Sequence, residues 1–171
     1  AQAQEEANKS KPDTQKIQGF MSELIAAGQK ATSVSPNNPA NWSALAKFYA
    51  DIKPLAAGAD QYIISSLKTA LDHDPNNPAY HYQLGQAYFS AAQVLDTSKQ
   101  PDADGNQQTK IDPAMIKSAE AEFNKAIELK PDLAEFYIQL ARVLEADNKV
   151  AEAKTKMDTA ATLFPTNPDV L

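Results

Sequence analysis

A run of oxygen-bearing side chains near the middle of the chain could bind a metal ion. The candidate calcium ligands are Asp102, Asp104, Asn106 and Asp112. Carboxylate and amide oxygens around a glycine turn are the ligands that calcium takes. An EF-hand loop, however, would have a glycine and an acidic residue where this chain has Gln107 and Pro113. Because solvated turns use the same residue types, we expect an ordinary long loop here and no metal site.

The two histidines are the only other candidates for chemistry. His73 and His81 flank a turn that contains Pro75 and Pro78, and a metal ion could in principle bridge them. The sequence supplies no obvious third ligand, so we expect His81 to be packed rather than bound to zinc. We also find no glycine-rich phosphate loop, no Gly-x-Ser-x-Gly motif and no nucleophile beside a base. The sequence therefore predicts neither an enzyme nor a cofactor-binding protein.

The composition is that of an acidic protein with an ordinary apolar content. Of the 171 residues 43% are hydrophobic, and 22 acidic residues against 16 basic ones give a net charge of -6. Because such a chain repels phosphate groups, we expect no nucleic acid partner. No apolar run approaches the roughly 18 residues that a membrane-spanning helix needs. Cysteine is absent, which excludes disulfides and thiol chemistry.

The first residues, Ala1-Gln2-Ala3-Gln4, resemble what remains after a signal peptide is cleaved at small residues. We therefore expect an exported protein, extracellular or in the cell envelope, with a cytoplasmic location as the alternative. The arm 1–12 contains almost no large apolar residue and should fray when it stands alone.

Prolines divide the rest of the chain into segments. The four that stand in similar surroundings are Pro36, Pro75, Pro131 and Pro165. A proline cannot continue a helix but suits the first turn of the next one. Pro131 and Pro165 are 34 residues apart, which is the length of one helix–turn–helix repeat. The prolines therefore predict a series of helix pairs, lengthened by 5 residues after Pro36 and by 22 after Pro75.

Apolar residues between these prolines recur at helical spacing. After Pro131 the stripes are Tyr137, Leu140, Ala141 and Leu144, then Val150, Ala153, Met157 and Ala160. Asn148 stands between the stripes, where a left-handed turn residue is needed. Matching first helices contain Trp42, Leu45, Ala46 and Tyr49, and then Tyr82, Leu84, Gly85 and Tyr88. This pattern of large and small residues, closed by a proline, resembles the tetratricopeptide repeat.

The resemblance covers residues 35–171 and implies an all-α fold, a right-handed helical solenoid of about seven helices. His81 stands where this family usually has a large aromatic residue, which again favours a packed imidazole. The predicted segments are an N-terminal arm (1–12), a half-repeat helix (13–35), a first repeat (36–74), a second repeat (75–130) with an insertion at about 96–112, and a third repeat followed by the truncated start of another (131–171).

In this family the working surface is the concave groove lined by the first helices of the repeats. The resemblance implies that the groove here includes Ser43, Lys47, Tyr82, Gln86, Phe89, Ile138, Arg142 and Glu145. It lacks the Lys and Asn set with which some members hold an acidic peptide end. Tyr82, Phe89 and Ile138 could instead accept an apolar or helical segment. Alternatively, some of these side chains belong to a partly buried core.

The ends of a repeat array need polar outer faces unless something covers them. The apolar candidates for self-association are Ile17, Phe20, Leu24, Leu163, Phe164, Val170 and Leu171. They predict head-to-tail contact between copies, which gives an open filament if the rotation does not close a ring. Our leading interpretation is a non-enzymatic, exported scaffold that associates with itself. The alternative is a module that binds a different protein in its groove, such as the soluble tail of an envelope protein.

Overall fold

The computed structural model describes residues 14–55, 58–95 and 109–170. Their helices are α1 (Thr14–Val34), α2 (Pro39–Ile52), α3 (Ala59–His73), α4 (Pro78–Ala91), α5 (Pro113–Leu129), α6 (Ala134–Ala146) and α7 (Val150–Leu163). Two short strands, β1 (Gln93–Leu95) and β2 (Thr109–Ile111), lie between α4 and α5, and 3-10 turns occupy Lys53–Leu55 and Pro168–Val170. Helices α1–α3 belong to one compact unit that ends at Pro75, and α4–α7 belong to a second that begins at Asn76.

Three of the helices, α2, α4 and α5, start in the same way. An Asn or Asp side chain accepts a hydrogen bond from the backbone N–H two residues on, and a proline occupies the first helical position. The caps are Asn38 for α2, Asn77 for α4 and Asp112 for α5, with distances of 3.0, 3.1 and 2.9 Å. Asn167 does the same before the turn Pro168–Val170, at 2.9 Å. Helices α3, α6 and α7 lack such a cap, because the residues that precede them, Gly58, Leu133 and Lys149, supply no side-chain hydrogen bond.

In the first unit, α2 packs between α1 and α3. Its buried stripe consists of Leu45, Ala46, Tyr49 and Ile52. Gly28 brings α1 close to α2, since a Cβ atom there would lie 2.6 Å from Leu45 Cδ1. The small residue thus allows the two helices to approach closely at this point.

In the second unit, α5 packs against both α4 and α6, and α7 packs against α6. The largest fully buried side chains of the described structure all lie here: Leu84, Ile116, Phe123, Leu140, Val143 and Leu144. Gly85 on α4 faces the Phe123 ring, three of whose carbons would stand 3.0 Å from a Cβ atom at that position. The core of this unit is thus closely packed around α5 and α6.

The predicted stripes of the third repeat are largely confirmed. Tyr137, Leu140, Ala141 and Leu144 are buried, as are Ala153 and Ala160, and Met157 is half-buried. Asn148 has the predicted left-handed conformation, with φ of 61°. Val150 is the exception, because it is 61% exposed. It is the first residue of α7, directly after the turn, and its side chain faces solvent.

The insertion in the second repeat differs from the expected plain loop. β1 and β2 pair antiparallel, with Val94 opposite Lys110, and Asp112 N–H donates to Ala92 O at 2.8 Å beside the ladder. The ladder satisfies backbone groups where the insertion leaves and rejoins the helices. The candidate calcium ligands Asp102, Asp104 and Asn106 lie outside the described residues. Asp112 uses its side-chain oxygen to cap α5.

Candidate protein-binding surface

A polar network joins the exposed sides of α4 and α6 in the second unit. Tyr82 O–H donates to Glu135 Oε1 at 3.0 Å, and Gln86 Nε2 donates to the Tyr82 hydroxyl oxygen at 2.9 Å. Gln139 Nε2 donates to the same Glu135 oxygen at 2.6 Å. Four side chains from two helices therefore form one hydrogen-bonded network, in which the donors converge on the Glu135 carboxylate. We call the surface formed by Tyr82, Gln86, Glu135 and Gln139 the α4–α6 surface.

The core beneath the α4–α6 surface fixes the position of Tyr82. Its ring stacks on Phe136, with centroids 5.1 Å apart, and meets Phe123 edge-on at 5.8 Å. Burial raises the pKa of the Tyr82 hydroxyl well above its usual value, and the hydrogen bond to Glu135 raises it further. The hydroxyl consequently stays protonated near neutral pH and continues to donate to Glu135.

The predicted groove residues of the second unit do not all reach this surface. Phe89 is half-buried, and Arg142 and Glu145 are exposed on α6. Ile138 differs from the expectation, since it is only 6% exposed. It belongs to a buried cluster with Ala134, Tyr137 and Ala160, so its side chain is not available to a ligand.

Sequence reasoning missed Glu135 and Gln139. One signal could have found them: they are four residues apart on α6, as Tyr82 and Gln86 are on α4, so each pair lies on one side of its helix. Comparing the two helices by polar pairs would have selected them in place of Ile138.

The first unit contains the other two predicted groove residues, both on α2. Ser43 is half-buried, and Lys47 is exposed with its ammonium group 3.8 Å from Asp51. The aromatic contact of this unit is a stacked pair, Tyr49 and Tyr62, with ring centroids 5.0 Å apart. Tyr62 is mostly exposed.

His81 is packed, as predicted. Its Nδ1 lies 2.6 Å from Glu122 Oε2, and both side chains are largely buried between α4 and α5. Among the described residues, no three histidine, cysteine or acidic side chains are grouped so that they could hold a metal ion. In the same ranges, no helix has the length and apolar character needed to cross a membrane.

The predicted self-association residues fall into three groups. Leu163 is 52% exposed at the end of α7. Phe20 is half-buried, and so is Phe164, which packs against the buried cluster and has its ring centroid 6.1 Å from that of Tyr137. Phe164 is therefore less uncovered than the sequence suggested. The side chains of Ile17, Leu24 and Val170, and all of Leu171, lie outside the described part of the chain.

Solved structures with the same arrangement of helices are numerous. The crystal structure of MamA covers 90% of this chain and 74% of its own, with 23% identity and a TM-score of 0.64. The protein TTC0263 from Thermus thermophilus, described as a thermophilic TPR protein, covers 89% of this chain and 70% of its own, with 19% identity and a TM-score of 0.65. The first TPR of Spaghetti (RPAP3), bound to an HSP90 peptide, covers 78% of this chain and 84% of its own, with 19% identity and a TM-score of 0.57.

This chain has the tetratricopeptide-repeat fold. The all-α fold class predicted from the spacing of prolines and apolar residues is thereby confirmed. No protein-family model matches the sequence, and a comparison with curated proteins finds no significant match. At these identities the likeness to other tetratricopeptide structures establishes the fold and not the ligand.

Proposed function

We propose that this chain is a non-enzymatic protein-binding module that captures an extended segment of another protein on the α4–α6 surface. The observation that carries the proposal is the network from Gln86 through Tyr82 to Glu135. Polar side chains held in place by their neighbours lose little freedom when a ligand arrives, which favours binding.

The tetratricopeptide fold adds general support, because the first TPR of Spaghetti (RPAP3), which has a similar fold, has been solved with the HSP90 peptide SRMEEVD bound. Gln86 and Arg142 are exposed and carry groups that can hydrogen-bond to the backbone or side chains of such a segment. Phe89, half-buried on α4, offers apolar area beside them. A short peptide is thus the class of ligand that fits this surface best.

Photocrosslinking tests the proposal. Benzoylphenylalanine would replace Gln86, and the same replacement of Lys154, exposed on α7, serves as the control. We would select peptides from a random heptapeptide phage library with the unmodified chain and then irradiate each variant with the selected peptides. We expect a covalent adduct at position 86 and none at position 154. Equal labelling at both positions, or no selected peptide at all, would remove the α4–α6 surface from the account.

Self-association is the second candidate, and Leu163 favours it. A leucine that is half exposed at the end of α7 is an apolar contact of the kind that another chain could cover. Isolated exposed leucines are also common on monomeric proteins, so the candidate needs its own test.

Sedimentation velocity over a concentration series separates the two candidates. If copies associate through this end, Leu163→Asp shifts the concentration dependence toward monomer, whereas Thr162→Asp, which adds the same charge at an exposed neighbour, changes it less. A wild-type chain that sediments as a monomer at every concentration would contradict self-association and leave the peptide-binding proposal intact. Electron microscopy of the same samples would detect filaments.

A further inference from the structure

We infer that the α4–α6 surface selects a segment that carries a lysine or arginine and binds the cation at the Glu135 carboxylate. The inference rests on the proposed function and adds the charge of the ligand to it. Three features of the described residues support it: the anchoring of the carboxylate, the charges around it and the aromatic support beneath it.

Glu135 is exposed and yet held in place. Both of its hydrogen bonds from the network, from the Tyr82 hydroxyl at 3.0 Å and from Gln139 Nε2 at 2.6 Å, reach the same oxygen, Oε1. The network thus orients the carboxylate and leaves Oε2 for a donor from outside. A carboxylate that is already ordered loses less side-chain entropy on forming an ion pair than a mobile surface residue does.

The surrounding charges favour a cation. From Tyr82 to Phe89, α4 carries no charged side chain. On α6, Arg142 lies close enough to lower the pKa of Tyr82, which burial and Glu135 raise, and Glu145 is a second exposed carboxylate. Two acidic groups and one basic group therefore lie along this helix. The whole chain has a net charge of -6, which attracts basic segments over longer distances.

The apolar part of a basic side chain also finds support here. Tyr82 stacks on Phe136 and meets Phe123, so its ring is fixed and its hydroxyl points to Glu135. Lysine and arginine place their methylene stems along apolar area while the charged end reaches a polar partner. Tyr82 and the half-buried Phe89 are the apolar area that α4 provides.

Three fluorescein-labelled heptapeptides test the sign of the ligand. They are SRMEEVD, its charge-inverted form SEMKKVK and the neutral form SQMQQVN, each with blocked ends. Fluorescence anisotropy with the full chain at low and at high concentrations of NaCl measures their affinities. We expect the basic peptide to bind best and to weaken as salt is added, because screening shortens the reach of the carboxylate.

Glu135→Gln isolates the carboxylate. The amide oxygen of the substituted side chain can still accept from Tyr82 and Gln139, so the fold should persist, and circular dichroism would check it. We expect affinity for the basic peptide to fall about tenfold, as for the loss of one charge-assisted hydrogen bond. Glu152→Gln removes the same charge from an exposed site on α7 and should change affinity less than about twofold.

The outcomes separate this inference from the proposed function. Preference for the acidic or the neutral peptide, or equal effects of Glu135→Gln and Glu152→Gln, would overturn the cation inference while leaving a peptide-binding surface. If none of the three peptides binds and selected peptides also fail to crosslink at position 86, the proposed function fails with it.

Discussion

Helices α2 and α6 each open a repeat, yet the two are buried to different extents. Helix α2, in the first unit, buries four residues along one stripe: Leu45, Ala46, Tyr49 and Ile52. Helix α6, in the second unit, buries eight: Ala134, Phe136, Tyr137, Ile138, Leu140, Ala141, Val143 and Leu144. Helices α5 and α7 and the turn Pro168–Val170 all contact α6. It therefore has little of its circumference left for solvent.

The polar residues of α6 are also held more firmly than those of α2. On α2, Lys47 and Asp51 form a long pair of 3.8 Å in which both side chains are more than half exposed. On α6, Glu135 is fixed by hydrogen bonds from Tyr82 and Gln139. The comparison indicates that a polar surface becomes ordered where a side chain of another helix reaches it, as Tyr82 of α4 reaches Glu135 of α6.

The largest test of this comparison removes one leucine from each helix. We expect Leu140→Ala in α6 to lower the free energy of unfolding by about 4 kcal/mol and Leu45→Ala in α2 by about 2–3 kcal/mol, because the cavity in α6 has less freedom to collapse. Urea denaturation followed by circular dichroism measures both. A larger loss at Leu45 would mean that α2 is the more tightly held helix.

The next test adds a methyl group at the close contact within each unit. A Cβ atom at Gly85 presses on Phe123, which is fully buried and cannot move aside. Overpacking costs about 1–3 kcal/mol and exceeds the roughly 1 kcal/mol that alanine gains over glycine in a helix. We expect Gly85→Ala to destabilise the chain by about 1 kcal/mol, the difference between these two effects.

Gly28→Ala in the first unit should be milder. The Cβ atom would lie 2.6 Å from Leu45 Cδ1, the end of a flexible side chain, and 2.9 Å from Phe48 Cδ2, and Phe48 is half-buried and can swing outward. We expect a net change of less than about 0.5 kcal/mol once the helix gain is included. Thermal unfolding of both variants compares them, and a greater loss at Gly28 would show that the first unit is the less adaptable one.

A smaller effect concerns the turns. Leu133→Asn gives α6 the kind of side-chain cap that Asn77 already gives α4, and we expect it to raise the free energy of unfolding by about 0.5–1 kcal/mol. Asn77→Ala should lower it by about 1 kcal/mol. Denaturant midpoints of the two variants decide the matter. A destabilised Leu133→Asn chain would indicate that the partly exposed leucine packs usefully where it is.

The smallest expected effect concerns the ionisation of Tyr82 and is confined to high pH. Because the pKa of Tyr82 is raised in the folded chain, the stabilisation linked to it is complete below the tyrosine value of about 10 and is lost as the pH rises through the folded value. Ultraviolet absorbance of the tyrosinate form should show a late ionisation step that belongs to Tyr82. Tyr82→Phe should remove this late step and Glu135→Gln should move it to lower pH. A late step that persists in Tyr82→Phe would contradict the assignment.

Much of the fold could be predicted because it depends on local rules. Prolines and capping residues such as Asn38 and Asn77 mark where helices begin, and the spacing of Leu140 and Leu144 identifies a buried face. The left-handed turn at Asn148 follows from an asparagine that stands between two helical stripes. These signals need no knowledge of what lies across the core.

The remaining features depend on residues that are distant in sequence. Ile138 is buried because Ala160, on the next helix, packs against the same cluster. Glu135 acquires its role from Tyr82, 53 residues earlier in the chain. β1 and β2 have three residues each, too few to show the alternation of a strand in sequence. Each strand forms its ladder hydrogen bonds with the other.

Because β1 pairs with β2, the positions at which the insertion leaves α4 and rejoins α5 do not depend on the number of residues between the two strands. Strands in a ladder lie about 4.8 Å apart, so the two ends of the intervening segment meet at fixed positions beside α4 and α5. Lengthening a closed loop is inexpensive, at about 0.6 kcal/mol for each doubling. Residues 96–108 are accordingly a natural place to graft an epitope, a fluorescent domain or an affinity tag without altering the register of the repeats.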